Sequence, residues 1–319
     1  MVTLEDIKQA QSLLRGIAVR TPLLEWTGVT AKRKLFLKLE NLQPIGAFKL
    51  RGAYNKISSF SEEERSRGVV SYSSGNHAQG VAYAARALGL KAVIVMPGNS
   101  PKNKLAATAA LGAEVVTVGP GSEERRIRAE QLAAEHGYVV VPPYNDEKII
   151  AGQGTVGLEI LEDLPGVETV LSPVGGGGLI SGISAAIKLT NPKVSVIGVE
   201  PELAGDARAS LKAGHIVSFA AEQVTQTLAD GLRTQSIGEA NFEHIRAYVD
   251  DIVSVKEDEI REATRALSAN AKTLAEPSGA VAVAAFMFHS AELPQTRTNL
   301  AVISGGNIDP ELLAEIRRA

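Results

Sequence analysis

Short runs of β-branched and other apolar residues recur along the chain, separated by longer stretches with helical periodicity. Seven of these runs predict strands, at residues 69–71, 92–95, 114–118, 139–142, 170–172, 194–199 and 300–304. Helix signals fall between them: Ser61 with Glu64 as a capping box, Ser100 before Pro101, Asp309 before Pro310, and Gly89 and Gly112 as helix ends. This alternation predicts an α/β protein with mostly parallel sheets.

The strand and helix units fall into two clusters, before and after about Pro142 and Pro143, with no repeat or low-complexity linker between them. We therefore expect two sheets. A large domain is predicted over residues 1–57 and 144–319, and a small mobile domain over residues 58–143. A cleft between two such units is the natural place for a ligand.

The composition narrows the class of partner. Of the 319 residues 45% are hydrophobic, and 33 basic residues stand against 36 acidic ones without a long run of one sign. This balance favours neither nucleic acid nor a membrane surface, so the expected partner is a small molecule. The chain has no cysteine, which excludes disulfides, thiolate nucleophiles and sulfur-based zinc sites.

The N-terminal residues predict an amphipathic helix of the mature protein rather than a signal peptide, because they carry acid where a signal peptide carries base. No apolar run approaches the roughly 20 residues that a membrane-spanning helix needs. We therefore expect a cytoplasmic protein.

The first candidate for chemistry is Lys49, in the segment NLQPIGAFKLRG at residues 41–52. Its neighbours are apolar residues and glycines, and a helical stretch is predicted to begin near Gly52. A lysine held among such neighbours loses its proton easily and can attack a carbonyl. By itself the segment fits an idle, solvated lysine equally well, with Phe48 packed in a core.

A second segment, SYSSGNHAQG at residues 71–80, follows a predicted strand and opens a predicted helix. Its small hydroxyls, its amide and its backbone N–H groups would bind a carboxylate or a phenolate oxygen. The alternative is an ordinary helix N-cap provided by Ser74 or Asn76. The segment alone does not choose between the two.

Four consecutive glycines, Gly175, Gly176, Gly177 and Gly178, lie between a predicted strand and a predicted helix. Only glycine lets successive backbone N–H groups converge on a phosphate at a helix start without side-chain collisions. The alternative is a flexible loop without a ligand. Because the lysine and hydroxyl that end a nucleotide P-loop are missing, we expect the phosphate of a small cofactor.

Two further segments are less specific. Residues 152–157, GQGTVG, match a dinucleotide fingerprint, but no clear strand precedes them and no acidic ribose ligand follows, so a nicotinamide cofactor is not expected. Ser304, in the segment ISGGN, ends the last predicted strand, where a hydroxyl points into the cleft of an open α/β sheet. Alone, this segment is also an ordinary turn.

In this order, GAFKLRGA, SSGNHAQG, VGGGGLISG, LADG, EPSG and SGGN resemble the motifs of the serine/threonine dehydratase and serine racemase family of pyridoxal-phosphate enzymes. The resemblance runs from Arg20 to Asn307. It implies the fold-type II architecture, similar to that of tryptophan synthase β. Two open, twisted, mostly parallel sheets would be flanked by helices, with the cofactor in the cleft between them.

The resemblance also implies the roles of the residues at the cofactor. Lys49 would hold pyridoxal 5'-phosphate as a Schiff base, and Phe48 would lie against its ring. The glycines at 175–178 would form the phosphate cup. Asn76 would contact the ring hydroxyl, and Ser304 would contact the pyridine nitrogen.

Four residues of the second segment are implied to grip the substrate carboxylate: Ser73, Ser74, Asn76 and His77. Ser74 also matches the acid that the racemase places on the opposite face of Cα. Arg125 and Thr234 match less certain substrate contacts, and they fit a solvated helix charge and a loop hydroxyl equally well. Glu200, Ala204 and Asp206 have the spacing with which family members hold Mg²⁺ or Ca²⁺, the alternative being an acidic loop.

The implied reaction is β-elimination, the loss of water and ammonia from a small 3-hydroxy amino acid such as L-threonine or L-serine, giving a 2-oxo acid. Lys49 is the expected base at Cα. A neutral Ser304 makes the ring a weaker electron sink than an aspartate would, which favours prompt elimination. A non-catalytic binding protein that kept the fold is the alternative from another class, and the intact Lys49 argues against it.

Ala47 stands where many dehydratases carry serine, so the substrate is less certain than the reaction. Serine racemisation, or dehydration of 3-hydroxyaspartate or phenylserine, stays open as an alternative. The chain ends a dozen residues after Asn307, which leaves no room for the regulatory domain of biosynthetic threonine deaminases. We therefore expect a catabolic enzyme, and we expect it to form a homodimer.

Overall fold

The computed structural model describes residues 1–26, 33–73, 75–98, 100, 102–119 and 122–318. Within these ranges the larger sheet has the strands β1 (Leu23–Trp26), β2 (Lys34–Leu39), β7 (Thr169–Pro173), β8 (Ser195–Pro201), β9 (Asp251–Val255) and β10 (Thr298–Ile303). Their order is β1-β2-β10-β7-β8-β9, and all neighbours are parallel except β1 and β2. β1, β2 and β9 were not predicted from the sequence.

The smaller sheet consists, in the described ranges, of β3 (Val69–Tyr72), β4 (Ala92–Pro97), β5 (Glu114–Val118) and β6 (Val139–Val140). Its order is β5-β4-β3-β6 and every pairing is parallel. β6 is shorter than the predicted run at 139–142, because Pro142 and Pro143 have no N–H to donate to a ladder. All four strands come from the segment 58–143, and the independent motion of that segment stays a prediction.

The helices are α1 (Leu4–Leu13), α2 (Lys49–Ser58), α3 (Glu62–Arg67), α4 (Asn76–Ala87), α5 (Lys102–Ala110), α6 (Ser122–His136), α7 (Glu147–Asp163), α8 (Gly178–Thr190), α9 (Asp206–Ala213), α10 (Ala221–Val224), α11 (Glu239–Tyr248), α12 (Glu257–Asn270), α13 (Pro277–Phe288) and α14 (Pro310–Arg318). Short 3-10 turns lie at Glu40–Leu42, Glu202–Ala204 and Asp230–Leu232. The predicted capping box of Ser61 and Glu64 is confirmed. Asp309 accepts hydrogen bonds from the first turn of α14.

One expectation about a helix start was wrong in detail, and one of the alternatives left open for another helix start is not supported. α2 begins at Lys49, not near Gly52, because Phe48 already has helical geometry and its carbonyl accepts from the backbone N–H of Arg51. The start of α4 has no side-chain N-cap by Asn76, which is the first helical residue after Gly75. Pro101, the other predicted start, lies outside the described residues.

The larger sheet is buried on both faces, as a parallel sheet requires. α13 is apolar around its whole circumference, and residues 277–286 of it are buried against α12 and the strands β7 to β10. On the other face α7 packs closely against α8. The dinucleotide-like segment 152–157 lies inside α7, where Gly154 and Gly157 bring the helix against α8; this is not the strand-to-helix turn that a nicotinamide site needs.

A buried network of charges ties α2 to its surroundings. Arg51, on the first turn of α2, is 1% exposed and donates to both oxygens of Glu40, each at 2.8 Å. It also donates to both oxygens of Glu159 on α7, at 2.7 and 2.9 Å. Lys38 on β2, with no exposed surface, donates to Glu159 at 2.6 Å and to the Thr21 carbonyl at 2.7 Å. The charges of two cations and two carboxylates therefore balance while all four side chains are buried from solvent. The network joins β2, α2 and α7.

We predict that Arg51→Met lowers the free energy of unfolding by about 3–5 kcal/mol, because it leaves the carboxylate of Glu40 buried without its partner. Urea denaturation followed by circular dichroism measures this loss. The matched control is Arg126→Met, which breaks exposed pairs with Glu123 and Glu130 and should cost less than about 1 kcal/mol. Equal, small losses for both variants would contradict the role given to the network.

Candidate active site

Lys49 is held at the carboxyl end of the central strand β10. The backbone N–H of Phe48 donates to the Ser304 carbonyl at 3.1 Å, and Ala47 forms an antiparallel bridge with Gly305. These contacts carry the chain from the end of β10 directly into α2. Lys49, as the first residue of that helix, therefore has a fixed position at the edge of the larger sheet.

The amine of Lys49 lies between the two sheets. Its Nζ donates to the carbonyl of Pro143 at 2.8 Å and lies 5.3 Å from the centre of the Phe48 ring. Burial lowers the pKa of Lys49 to about 8, because among the described residues no carboxylate compensates for the lost hydration of the ammonium. At pH 7 about a tenth of the side chain is thus uncharged, far more than for an ordinary lysine, and the uncharged form is the one that acts as nucleophile and base.

The glycine loop connects β7 to α8. Gly177 has a φ of +94°, which favours glycine, and a Cβ on Gly176 would lie 2.3 Å from the ring of Tyr144. A side chain is therefore excluded at both positions. The loop ends where α8 begins, so the N–H groups of the first turn have no acceptor within the helix and can bind an anion.

The side chain of Asn76 links the start of α4 to the residue directly before α13 and to the loop that follows β10. Its Oδ1 accepts from Asn307 Nδ2 at 2.8 Å, and its Nδ2 donates to Glu276 Oε1 at 2.6 Å. The side chain makes no contact with the backbone of its own helix start. The N-cap alternative therefore does not account for this residue.

The other predicted carboxylate contacts differ in their surroundings. Ser74 lies outside the described residues. Ser73 Oγ accepts from the backbone N–H of Gly75 at 3.3 Å. His77 is buried, which lowers its pKa to about 3, and its Nε2 lies 3.2 Å from the carbonyl of Val141. A neutral ring that donates through Nε2 has no second donor, so any contribution of His77 to carboxylate binding falls to its backbone N–H.

Ser304 follows β10 directly and is 4% exposed. Its hydroxyl lies 3.5 Å from the carbonyl of Ser278 on α13, and the Ser278 hydroxyl accepts from the backbone N–H of Gly231 at 2.8 Å. The three motifs SGGN, EPSG and LADG therefore meet at one point of the larger sheet. No role was predicted from the sequence for the last two.

Sequence reasoning missed an acidic cluster formed by those two motifs. Glu276, which precedes α13, is buried, and burial together with the nearby charge of Asp230 raises its pKa to about 7. Asp230 in turn accepts from Lys104 on α5 at 2.6 Å. The signal was present, since both acids lie in quoted motifs, but their partners are more than 100 residues away in the sequence.

The two less certain substrate contacts are both partly buried. Burial lowers the pKa of Arg125 on α6 below its usual range. The hydroxyl of Thr234 is buried and has no hydrogen-bond partner among the described residues. A solvated loop hydroxyl therefore does not describe Thr234.

The predicted metal ligands lie together at the carboxyl end of β8. Glu200 lies on β8, Ala204 ends the second 3-10 turn and Asp206 begins α9. The Glu200 carboxylate accepts from the backbone N–H groups of Ala207 and Arg208, at 3.1 and 3.0 Å. Burial raises the pKa of Glu200 to about 8 and that of Asp206 to about 7, and Asp206 Oδ2 has no hydrogen-bond partner among the described residues. Two buried carboxylates, one of them with an oxygen that has no hydrogen-bond partner among the described residues, fit a hard divalent ion.

Comparison with known proteins places the chain in a class. The sequence matches the family of pyridoxal-phosphate dependent enzymes over residues 14–305. It is 48% identical, over 99% of its length, to an L-threonine ammonia-lyase of Thermotoga maritima, of which it covers 78%. The chain is therefore a pyridoxal-phosphate dependent enzyme.

Two solved structures refine this assignment. A threonine deaminase from T.th. superposes with a TM-score of 0.90 at 44% identity, over 96% of this chain and 99% of that one. Serine racemase from maize superposes with a TM-score of 0.94 at 36% identity, over 98% and 96%. The chain belongs to the serine/threonine dehydratase and serine racemase family, and the predicted fold class is confirmed.

The structure holds no helix, within its described ranges, that combines the length and the apolar character needed to cross a membrane.

We predict that the rate at which the apoprotein captures pyridoxal phosphate rises with pH up to about 8 and then levels off, because the reactive form of Lys49 is the neutral amine. Stopped-flow absorbance measures this rate. The reference is Nα-acetyl-lysine, whose amine has the ordinary pKa of about 10.4, so its rate should keep rising. A protein profile that follows the reference would show that Lys49 is not desolvated.

Proposed function

We propose that the enzyme eliminates water from L-threonine, and from related small 3-hydroxy amino acids, to give a 2-oxo acid and ammonia. The observation that carries the proposal is the desolvated amine of Lys49, held at the end of β10 and free of any carboxylate partner in the described structure. The names of the relatives from Thermotoga maritima and T.th., a threonine ammonia-lyase and a threonine deaminase, support threonine as substrate.

The residues around Lys49 suit pyridoxal phosphate. The N–H groups of the glycine loop at 175–178 would bind its phosphate, and Ser304 would contact its pyridine nitrogen. Asn76 has one N–H left to donate to the ring hydroxyl, and the ring of Phe48 offers an apolar face. When bound, pyridoxal phosphate would supply an electron sink that weakens the Cα–H bond of the substrate.

The protein itself supplies proton transfer and orientation. Lys49 Nζ, once released from the cofactor, takes the proton from Cα. The electron pair of that bond forms the Cα–Cβ double bond as the Cβ–O bond breaks, and the departing hydroxide takes up the proton that Lys49 Nζ gained and leaves as water. The enamine product then adds water and loses ammonia. A neutral Ser304 hydroxyl would not protonate the ring nitrogen of the cofactor. This would favour prompt elimination over a long-lived negative charge at the substrate Cα.

The start of α4 would hold the substrate carboxylate. The hydroxyl of Ser73 and the backbone N–H groups of Asn76 and His77 would donate to it at a helix N-terminus, where the helix dipole favours an anion, and Ser74 stays a predicted donor outside the described residues. Thr234, whose buried hydroxyl lacks a partner in the described structure, is a further candidate contact.

We also propose a Mg²⁺ or Ca²⁺ ion held by Glu200, Asp206 and the carbonyl of Ala204. The unpartnered Asp206 Oδ2 and the two buried carboxylates support this assignment. The ion would stabilise the loop that follows β8. Hard oxygen donors are the ligands that both cations prefer.

The segment 58–143 is proposed to move as a small domain that opens and closes the cleft. The hydrogen bond from Asn76 to Glu276 and the ion pair of Lys104 with Asp230 join it to the larger sheet, so both would break on opening. The homodimer, the cytoplasmic location and the catabolic role stay predictions.

Serine racemisation is the second candidate, and the similarity to maize serine racemase supports it. It needs an acid on the face of Cα opposite Lys49, for which Ser74 is the candidate. Ala47, which lacks the hydroxyl of many dehydratases, leaves room for 3-hydroxyaspartate or phenylserine as well.

The reaction is tested by offering the purified holoenzyme a panel of L- and D-3-hydroxy amino acids and measuring both the 2-oxo acid and the enantiomer formed. We expect a 2-oxo acid from L-threonine, reduced about 10²–10⁴-fold in Lys49→Ala because the base is lost. The control Lys193→Ala removes an exposed lysine and should match the wild type. Absence of product from every substrate would refute both the lyase and the racemase.

We predict that Ser74→Ala abolishes racemisation of serine and spares much of the elimination, because only racemisation needs an acid on the second face. Chiral chromatography of serine and 2-oxo acid release are followed in the same reaction. Equal loss of both activities would overturn the two-face assignment.

A further inference from the structure

We propose that Glu276 is a positioning residue, which fixes the side-chain amide of Asn76 in the orientation that leaves one N–H for the cofactor. This inference rests on the proposed contact of Asn76 with the cofactor's ring hydroxyl. It assigns a function to an acid whose hydrogen bond to the candidate site, among the described residues, goes to the side chain of Asn76.

The orientation follows from counting donors and acceptors. Asn307 Nδ2 donates to the carbonyl of Ile45 and to Asn76 Oδ1, both at 2.8 Å, which uses its two N–H groups. Asn76 Oδ1 is therefore an acceptor facing Asn307. Its Nδ2 then has two N–H groups, of which one is taken by Glu276 at 2.6 Å. One N–H remains.

Rotation of the Asn76 amide by 180° would be opposed at both ends. It would place the amide N–H groups against the donor Nδ2 of Asn307, and the amide oxygen against the carboxylate of Glu276. Either contact alone is repulsive. Without Glu276, however, only the Asn307 contact fixes the amide, so its orientation would be less strictly determined.

The contact between Glu276 and Asn76 requires a residue without a side chain at position 305. Glu276 donates from its backbone N–H to the carbonyl of Gly305 at 3.1 Å, directly before α13 begins. A Cβ on Gly305 would lie 2.3 Å from Glu276 Oε1 and 3.1 Å from Asn76 Nδ2. Glycine at 305 is therefore what allows the carboxylate and the amide to meet beside Ser304.

The charges that face Glu276 come from both sheets. Asp230 approaches from the third 3-10 turn, Lys104 from α5 and the Asn76 amide from α4. Because Lys104 is bound to Asp230, its charge offsets the repulsion between the two acids. Glu276 Oε1 can accept from Asn76 Nδ2 in either charge state, because a protonated carboxyl keeps one acceptor oxygen.

The test is a double-mutant cycle on the dissociation constant for pyridoxal phosphate, measured by absorbance titration of the apoprotein. We expect Glu276→Ala to weaken binding about tenfold, the size expected for loss of a hydrogen bond to a charged group. Asn76→Ala should weaken it at least as much. The double variant should bind within twofold of Asn76→Ala, because Glu276 acts only through Asn76.

Glu276→Gln is the matched rescue, since its amide oxygen still accepts from Asn76, and it should bind within threefold of the wild type. Glu262→Ala, an exposed acid on α12, is the surface control. Thermal unfolding of each apoprotein checks the fold, and Glu276→Asp replaces Glu276→Ala if that variant does not fold. The absorption maximum of the bound cofactor gives a second readout, which should shift in the alanine variants and not in Glu276→Gln.

Wild-type affinity in Glu276→Ala, or additive losses in the double variant, would overturn the inference. These results are separable from failure of the proposed function, in which the wild type itself would bind no pyridoxal phosphate or release no 2-oxo acid.

Discussion

The buried contact of Arg51 with Glu40 and Glu159 is the constraint on which the site depends. A buried guanidinium is stable only where its N–H groups find acceptors. Here the acceptors are Glu40, in the 3-10 turn after β2, and Glu159 on α7. The first turn of α2 cannot shift without breaking them. Lys49 lies two residues before Arg51 and is therefore held in place by the same contacts. Because the helix start cannot move towards solvent, the amine of Lys49 stays buried.

The remaining parts of the site are placed by the parallel topology. Strands of a parallel sheet end on the same edge, and the glycine loop after β7, Glu200 near the end of β8 and Ser304 after β10 all lie along that edge. The smaller sheet contributes the start of α4, where Asn76 contacts Glu276 and Asn307. A cofactor bound at this edge would therefore lie between the two sheets.

Local sequence patterns predicted those features of the fold that depend on interactions between residues close in sequence. The central strands, the glycine loop and the capping box at Ser61 follow from a few neighbouring residues. β2 was missed because its sequence KLFLKL carries Lys38, whose charge is balanced in the buried strand by Glu159, 121 residues further on. Glu276 and its partner Asn76 are 200 residues apart in the sequence. The residues around either one therefore do not predict the contact.

The central claim is that Lys49 binds the cofactor covalently, and trapping that bond tests it most directly. The holoenzyme is reduced with borohydride, digested and mapped by mass spectrometry. The account predicts a single pyridoxyl group on the peptide that carries Lys49. A group on another lysine, or modification spread over several exposed lysines, would contradict it.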